Sequence, residues 1–193
     1  MKRVVLVALL ALFLPLAASA NNNSIVNSGG TLTGSSTGMS LSNSVLIQVG
    51  GIVGPNLGTL TFSTGALTSG SLKMGGTFAG GGSFVVTGNG SNGVPNGVIF
   101  SGSFSGPVTW TLITLPNGTH NYTLSGAVAG TNGGNAATIQ FTVNTGKNFF
   151  HKKAKVSSGD TNIAVAPEIG TLGLLGTGLV GIAGLIRRRV NSN

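Results

Sequence analysis

Apolar residues alternate with hydroxyl-bearing ones along much of this chain. Leu60 and Phe62 sit among Thr59, Thr61 and Ser63, and Phe84 and Val86 follow Ser83. Val45, Ile47 and Val49 alternate with Leu46 and Gln48, and Val98, Phe100 and Phe104 share a parity. The clearest case sets Ile139, Phe141 and Val143 against Thr138, Gln140, Thr142 and Asn144. A period of two is the signature of a strand with one buried face. Gly, Asn and Ser clusters between these runs supply turns, while the same glycines would depress any helix.

One hairpin can be set in register from the pattern alone. Val108, Trp110 and Leu112 share one strand face and Tyr122 and Leu124 share the next, with Pro116-Asn117-Gly118 between them. A two-residue loop would pair Leu112 with Thr123 and mismatch the apolar sets, because a one-residue slip turns every side chain to the other face. A three-residue loop pairs Leu112 with Tyr122 and Trp110 with Leu124. It calls for a type I turn with Pro first and a left-handed Gly last, which Pro116 and Gly118 provide.

Eight or so short strands in residues 21–146 predict an all-β chain with a single antiparallel β-sandwich or jelly-roll-like domain. A β-solenoid is the alternative suggested by the Gly, Ser, Thr and Asn richness, but Gly-x-Phe recurs at Phe78, Phe84 and Phe104 without the fixed period a solenoid needs. A membrane β-barrel would call for strands of about ten residues and aromatic girdles, which the pattern does not display. Residues 147–166, containing Phe149-Phe150, read as a terminal strand or linker whose start is packed.

Two segments break the alternation. Lys2-Arg3 precede the apolar run Val4 to Leu14, and Ala18-Ser19-Ala20 has the small-x-small form of a cleavage site. Residues 1–20 therefore read as a secretory signal peptide, cut by signal peptidase between Ala20 and Asn21. Near the other end, residues 169–186 carry no charge and would span about 27 Å as a helix at about 1.5 Å per residue, close to the roughly 30 Å of a bilayer core. Six glycines make that span a marginal one. Arg187, Arg188 and Arg189 follow it, and the positive-inside rule keeps them cytoplasmic, with the body on the other side.

Pro167-Glu168 followed by Gly170, Thr171 and Leu172, then the apolar helix and the Arg cluster, together resemble a PEP-CTERM sorting domain, over about residues 167–190. Ile169 stands where that motif usually has its second proline. The resemblance implies a bacterial exosortase-like enzyme as processing partner, a transient inner-membrane intermediate with the body in the periplasm, and a final place at the cell surface or outside the cell. It also implies an exopolysaccharide setting.

Charge sharpens this picture. The formal net charge is +8, yet five of the ten basic residues are Lys2, Arg3 and the three terminal arginines, and four more are Lys147, Lys152, Lys153 and Lys155. Residues 21–146 hold Lys73 as their only charged side chain and contain no cysteine. No disulfide can brace the domain, so packing and backbone pairing must do so. The basic cluster creates a local positive field suited to a polar collar beside a membrane or to an acidic polysaccharide; nucleic acid is no natural partner for an exported chain. Within it, Lys152, Lys153 and Lys155 are weak ligand candidates.

Catalysis finds little support in the residues. Glycoside hydrolysis generally needs two carboxylates and a triad needs an oriented base, whereas the acids are only Asp160 and Glu168. His120 reads as a polar residue at a strand start. Gly88-Asn89-Gly90-Ser91-Asn92-Gly93 fits G-x-G-x-x-G, but Val94-Pro95 follows where a dinucleotide site needs a helix. No catalytic, cofactor-binding or metal-ligating residue is therefore nominated. Trp110 and Tyr122 are weak ligand candidates for stacking on sugar rings, although their shared face with Leu112 and Leu124 favours core packing. The expectation is an exported surface or matrix protein without enzymatic activity; the alternative is a non-catalytic carbohydrate- or exopolysaccharide-binding module.

Overall fold

The computed structural model describes residues 21–131 and 135–165, all β structure and connections; the expected signal peptide, sorting motif, membrane helix and Arg cluster lie outside them. Strand β1 (Asn21–Ser28) and β2 (Thr31–Ser35) both run against β3 (Gly38–Val49), from Ile25↔Val49 to Ser35↔Gly38. A two-residue strand β4 (Ile52–Val53) folds back on the end of β3. Next, β5 (Gly58–Ser63) and β6 (Leu67–Ser71) run against β8 (Gly81–Asn89) and β7 (Gly75–Phe78), respectively. Strands β9 (Asn96–Phe104) and β10 (Val108–Thr114) likewise share one partner, β11 (His120–Gly130). Finally β12 (Asn135–Asn144) pairs with β11, and β13 (Lys153–Val165) pairs with β12.

Strand β13 then pairs with β2 and with β1, so β2, β3, β5, β8, β9, β11, β12 and β13 form a closed antiparallel ring of eight. All-β antiparallel structure is as expected; in place of two packed sheets there is one sheet closed on itself. Of the two readings of the segment after residue 146, terminal strand or linker, the structure has the strand: Lys153–Val165 closes the ring. Strands are also longer than the pattern suggested: β3, β11, β12 and β13 run 12, 11, 10 and 13 residues. Every pairing with a given register is antiparallel, which is not solenoid geometry. The apolar side chains point inward while Thr33, Ser40, Thr59, Thr61, Thr109 and Thr111 are exposed, the inverse of a lipid-facing barrel.

A transverse seam bends three neighbouring long strands. Thr64-Gly65-Ala66 separates β5 from β6, Ala79-Gly80 separates β7 from β8, and Ser105-Gly106-Pro107 separates β9 from β10. The breaks lie side by side: Gly65 N donates to Ala79 O at 3.0 Å and Ala79 N to Ala66 O at 2.8 Å. A Cβ on Gly65 would sit 2.6 Å from Gly80 O, and one on Gly80 would sit 2.8 Å from Gly106 O. Backbones this close leave no room for a side chain, which is why small residues mark the bend.

An eight-stranded barrel has an interior just wide enough to be filled by side chains, and aromatic rings fill much of this one. Phe62 meets Phe104 edge to face at 5.8 Å and Phe141 at 5.0 Å, while Phe84 meets Phe100 and Phe104 at 6.0 and 6.2 Å. A second group stacks Trp110 on Tyr122 at 4.8 Å, with Phe150 edge-on to Trp110 at 5.1 Å. Burying one such ring removes about 150–250 Å² from water, roughly 4–6 kcal/mol at about 25 cal/mol per Å². An exposed ion pair contributes under about 1 kcal/mol, so ring packing outweighs surface charge as the source of stability.

Two departures from strict alternation have local causes. In the second half of β3 the buried positions are Ser44, Leu46 and Val49 instead of Val45, Ile47 and Val49. An extra residue sits between Leu41 and Ser44, with Asn43 at φ 56°, and flips the parity. A further shift, opposite Val26 and Asn27, restores it at Val49. In β9, Val98 is 64% exposed although Phe100 and Phe104 are buried. There Val86 pairs with Phe100 but Thr87 with Val98, so Ile99 is the bulged residue, and it packs against the core.

Asn27, Ser44 and Thr161 are fully buried polar side chains. Asn27 Nδ2 donates to Ser44 Oγ at 2.6 Å, and Ser44 Oγ reaches Gly29 O at 3.0 Å. Asn27 Oδ1 and Thr161 Oγ1 are buried and have no protein partner among the described residues. An unpaired buried hydroxyl costs about 1–3 kcal/mol. Thr161→Val, which keeps the shape and removes that hydroxyl, should therefore raise the midpoint of denaturant unfolding; a lower midpoint would show that the hydroxyl is satisfied by water.

The hairpin between β10 and β11 has the register expected, with Leu112↔Tyr122 and Trp110↔Leu124. Gly118 N donates to Leu115 O at 2.9 Å, and Leu115 N to Thr119 O at 2.8 Å. Gly118 has φ +78° with nothing within 4 Å of the position a Cβ would take, so the cost of a side chain there is backbone strain alone. Gly118→Val should lower stability by about 1–2 kcal/mol, and Gly118→Asn by clearly less. Equal thermal unfolding of the two variants would remove that assignment.

Candidate functional site

Trp110 and Tyr122 are 1% and 0% exposed, which removes both from the ligand candidates. Each uses its polar atom to hold the β6–β7 turn. Trp110 Nε1 donates to Leu72 O at 2.9 Å, and Tyr122 Oη donates to Lys73 O at 2.7 Å while accepting from Phe150 N at 3.1 Å. His120 opens β11, as expected, and is buried there. Its ring stacks on Phe149 at 4.2 Å, Nδ1 lies 3.1 Å from Thr114 Oγ1, and Lys73 Nζ sits 4.6 Å from the Phe149 centroid. These groups secure the β6–β7 and β10–β11 turns.

The basic cluster fares differently. Lys152, Lys153 and Lys155 are all exposed, and Lys153 and Lys155 point outward because Ala154 and Val156 between and after them pack inward. Both lie on the ring-closing pair of strands, where Lys153 pairs with Thr33 and Lys155 with Thr31. From Lys153 the register continues across the outer wall as Thr33↔Ser40, Ser40↔Ser63 and Ser63↔Ser83. From Lys155 a shorter parallel row runs through Thr31 to Ser42. Neighbouring strands are about 4.8 Å apart and alternate residues of one strand about 6.7 Å apart. The wall thus carries two hydroxyl rows, each headed by a lysine.

An open depression of ≈ 230 Å³ lies on the Lys153 row. Its hydroxyl-bearing lining is Thr33, Ser35, Thr37, Ser40, Ser63 and Thr64, with Gly34, Gly38 and Met39 completing it. Thr64 is anchored, accepting from Met39 N and donating to Gly65 O, both at 2.9 Å. Ser35 and Thr37 hydrogen-bond to each other at 2.7 Å, as do Ser63 and Ser83 at 3.1 Å. Pockets that enclose a small molecule usually exceed about 300 Å³. This one suits a group resting on the wall better than a ligand swallowed by it.

Asp160 is the one acid among the described residues and lies on β13, five positions beyond Lys155. At about 3.3 Å per residue it is roughly 17 Å away, more than the Debye length of about 8 Å at physiological salt. The field of Lys153 and Lys155 is therefore not cancelled locally. No group of three or more His, Cys, Asp or Glu side chains placed to hold a metal ion occurs among the described residues. Gly88 and Asn89 end β8, and residues 90–95 turn into β9, so the G-x-G-x-x-G segment leads from strand to strand with no helix.

Thr33, Ser40, Ser63 and Ser83 were not singled out by sequence. Their signal was present but distributed, as the outward partners in Thr31-x-Thr33, Ser40-x-Ser42 and Lys153-x-Lys155; only the register aligns them. Comparison with protein-family models, with curated proteins and with solved structures finds no match for the chain.

If the aromatic pair is structural, Tyr122→Phe should cost about 1–3 kcal/mol by leaving Lys73 O and Phe150 N without their partner. The measurement is the denaturant midpoint, and an unchanged value would show that these backbone groups are satisfied by water instead.

Proposed function

We propose that this chain is an exported bacterial cell-surface or extracellular-matrix protein without catalytic activity, sorted through its motif-helix-Arg tail. The observation that carries this reading is the order of parts over residues 167–190: Pro167-Glu168, an uncharged apolar run, then Arg187 to Arg189. The signal-peptide pattern of residues 1–20 agrees with it. The β unit spans Asn22–Val165, so cleavage after Ala20 and near Pro167-Glu168 would both fall outside it and release a whole barrel. A body with one lysine and no acid in residues 21–146 offers few groups for acid-base chemistry, in keeping with a structural role.

A second reading, a non-catalytic carbohydrate- or exopolysaccharide-binding module, is favoured by one observation. Two lysine-headed hydroxyl rows share one wall, and a depression lies on the row headed by Lys153. The two readings are compatible, since a sorted surface protein can also hold polymer.

Intact mass of the protein from its native host, compared with the same host lacking exosortase, tests the first reading. A chain running from Asn21 to about Pro167-Glu168 only when exosortase is present is the expected result. A chain extending through Asn193 in both hosts would overturn the sorting proposal.

A further inference from the structure

We propose that the outer wall formed by β13, β2, β3, β5 and β8 binds an acidic polysaccharide laid across the strands, with its acidic groups on Lys153 and Lys155 and its hydroxyls on Thr33, Ser40 and Ser63. The inference deepens the second reading above and rests on it. Three features of the wall converge. First, the rows run perpendicular to the strands with a step of about 4.8 Å, close to the length of one sugar residue in an extended chain. A polymer following the row therefore meets a fresh hydroxyl at each residue.

Secondly, the charge sits at one end of each row and is of one sign. Lys153 and Lys155 face the same way about 6.7 Å apart, and each lies beside a threonine, Thr33 or Thr31. Lysine ammonium groups carry three donors on a flexible stem and so accept an acidic group from several directions. Neighbouring hydroxyls can donate to the same oxygen or accept from a sugar hydroxyl. Thirdly, the depression of ≈ 230 Å³ interrupts the convex wall at Thr33, Ser40 and Ser63. It gives one sugar a seat where the rest of the chain lies on the surface.

Charge complementarity selects the occupant. A neutral glycan would use the hydroxyls but gain nothing from the lysines. A small anion would use the lysines but not a row four strands further long. An acidic polysaccharide uses both, and the repetition of weak contacts along the row is how an open wall gains affinity from avidity.

The test uses the full-length chain in detergent, with affinity electrophoresis through gels holding a polyuronate, a neutral dextran or inorganic polyphosphate. Retardation by polyuronate well above that by dextran or polyphosphate is the expected result. The variant Lys153→Gln/Lys155→Gln should weaken polyuronate binding by at least about tenfold, because hydrogen bonds to charged groups are the strong ones. Ser40→Ala/Ser63→Ala should weaken it by a few-fold, and Lys147→Gln, off the wall, should leave it unchanged. All three replace exposed or half-exposed side chains, and unaltered thermal unfolding checks that the barrel is intact. Binding of dextran and polyuronate that is insensitive to these variants overturns the assigned wall but leaves the carbohydrate-binding reading standing. Equal retardation by polyphosphate, with no loss in Ser40→Ala/Ser63→Ala, overturns the proposal in favour of plain charge attraction. No retardation by any polysaccharide overturns both the wall and the reading beneath it.

Discussion

Lys153 with Thr33, Ala154 with Leu32 and Lys155 with Thr31 join the last strand to the first hairpin, and most of what this molecule is depends on those pairs. An open antiparallel sheet would leave the outer edges of β1, β2 and β13 as rows of unpaired backbone groups. Closure pairs them and turns every inward side chain toward a common axis. It also encloses the aromatic rings, which are the large source of stability in a chain that has no cysteine and a single charged side chain, Lys73, in residues 21–146. The pairs that seal the interior are the same ones that set two lysines against two threonines outside.

Inside and outside are thus solved by different chemistry along each strand. Inward positions take Phe, Leu, Val and Trp, and the interior has little tolerance for polar atoms, of which Asn27, Ser44 and Thr161 are the clearest cases. Outward positions take Thr and Ser, which favour strands because they suit a pleated, half-buried surface. They also hydrogen-bond to water without charge.

Local patterning was legible and long-range pairing was not. The β10–β11 hairpin could be placed to the residue because apolar parity and turn chemistry are both written within seventeen positions of one another. Likewise Ile139, Phe141 and Val143 face inward as alternation requires. Parity failed at Val45, Ile47 and Val98, where bulges at Asn43 and Ile99 insert one residue and turn the strand over. A bulge costs a single residue and leaves no compositional mark apart from an Asn at positive φ. Ring closure was hidden for another reason: residues 31–33 and 153–155 carry ordinary strand patterns, and nothing in either segment names the other. Charge near Lys153 drew attention to the right place, while the hydroxyls that share its row are scattered over four other strands.

Closure between the first strands and the last also orders events in time. A chain that emerges from its N-terminus presents β1 and β2 first; β2 pairs with the start of β3 across a two-residue turn, and β1 with its far end. Their other flank waits until β13 arrives, after nearly the whole β unit has passed. Contacts so distant in sequence form slowly, because loop closure must be completed before they contribute. Until then a growing sheet has two exposed edges that can stick to other chains. Lys153 and Lys155 on the closing strand are the kind of edge charge that discourages such pairing until β2 is met.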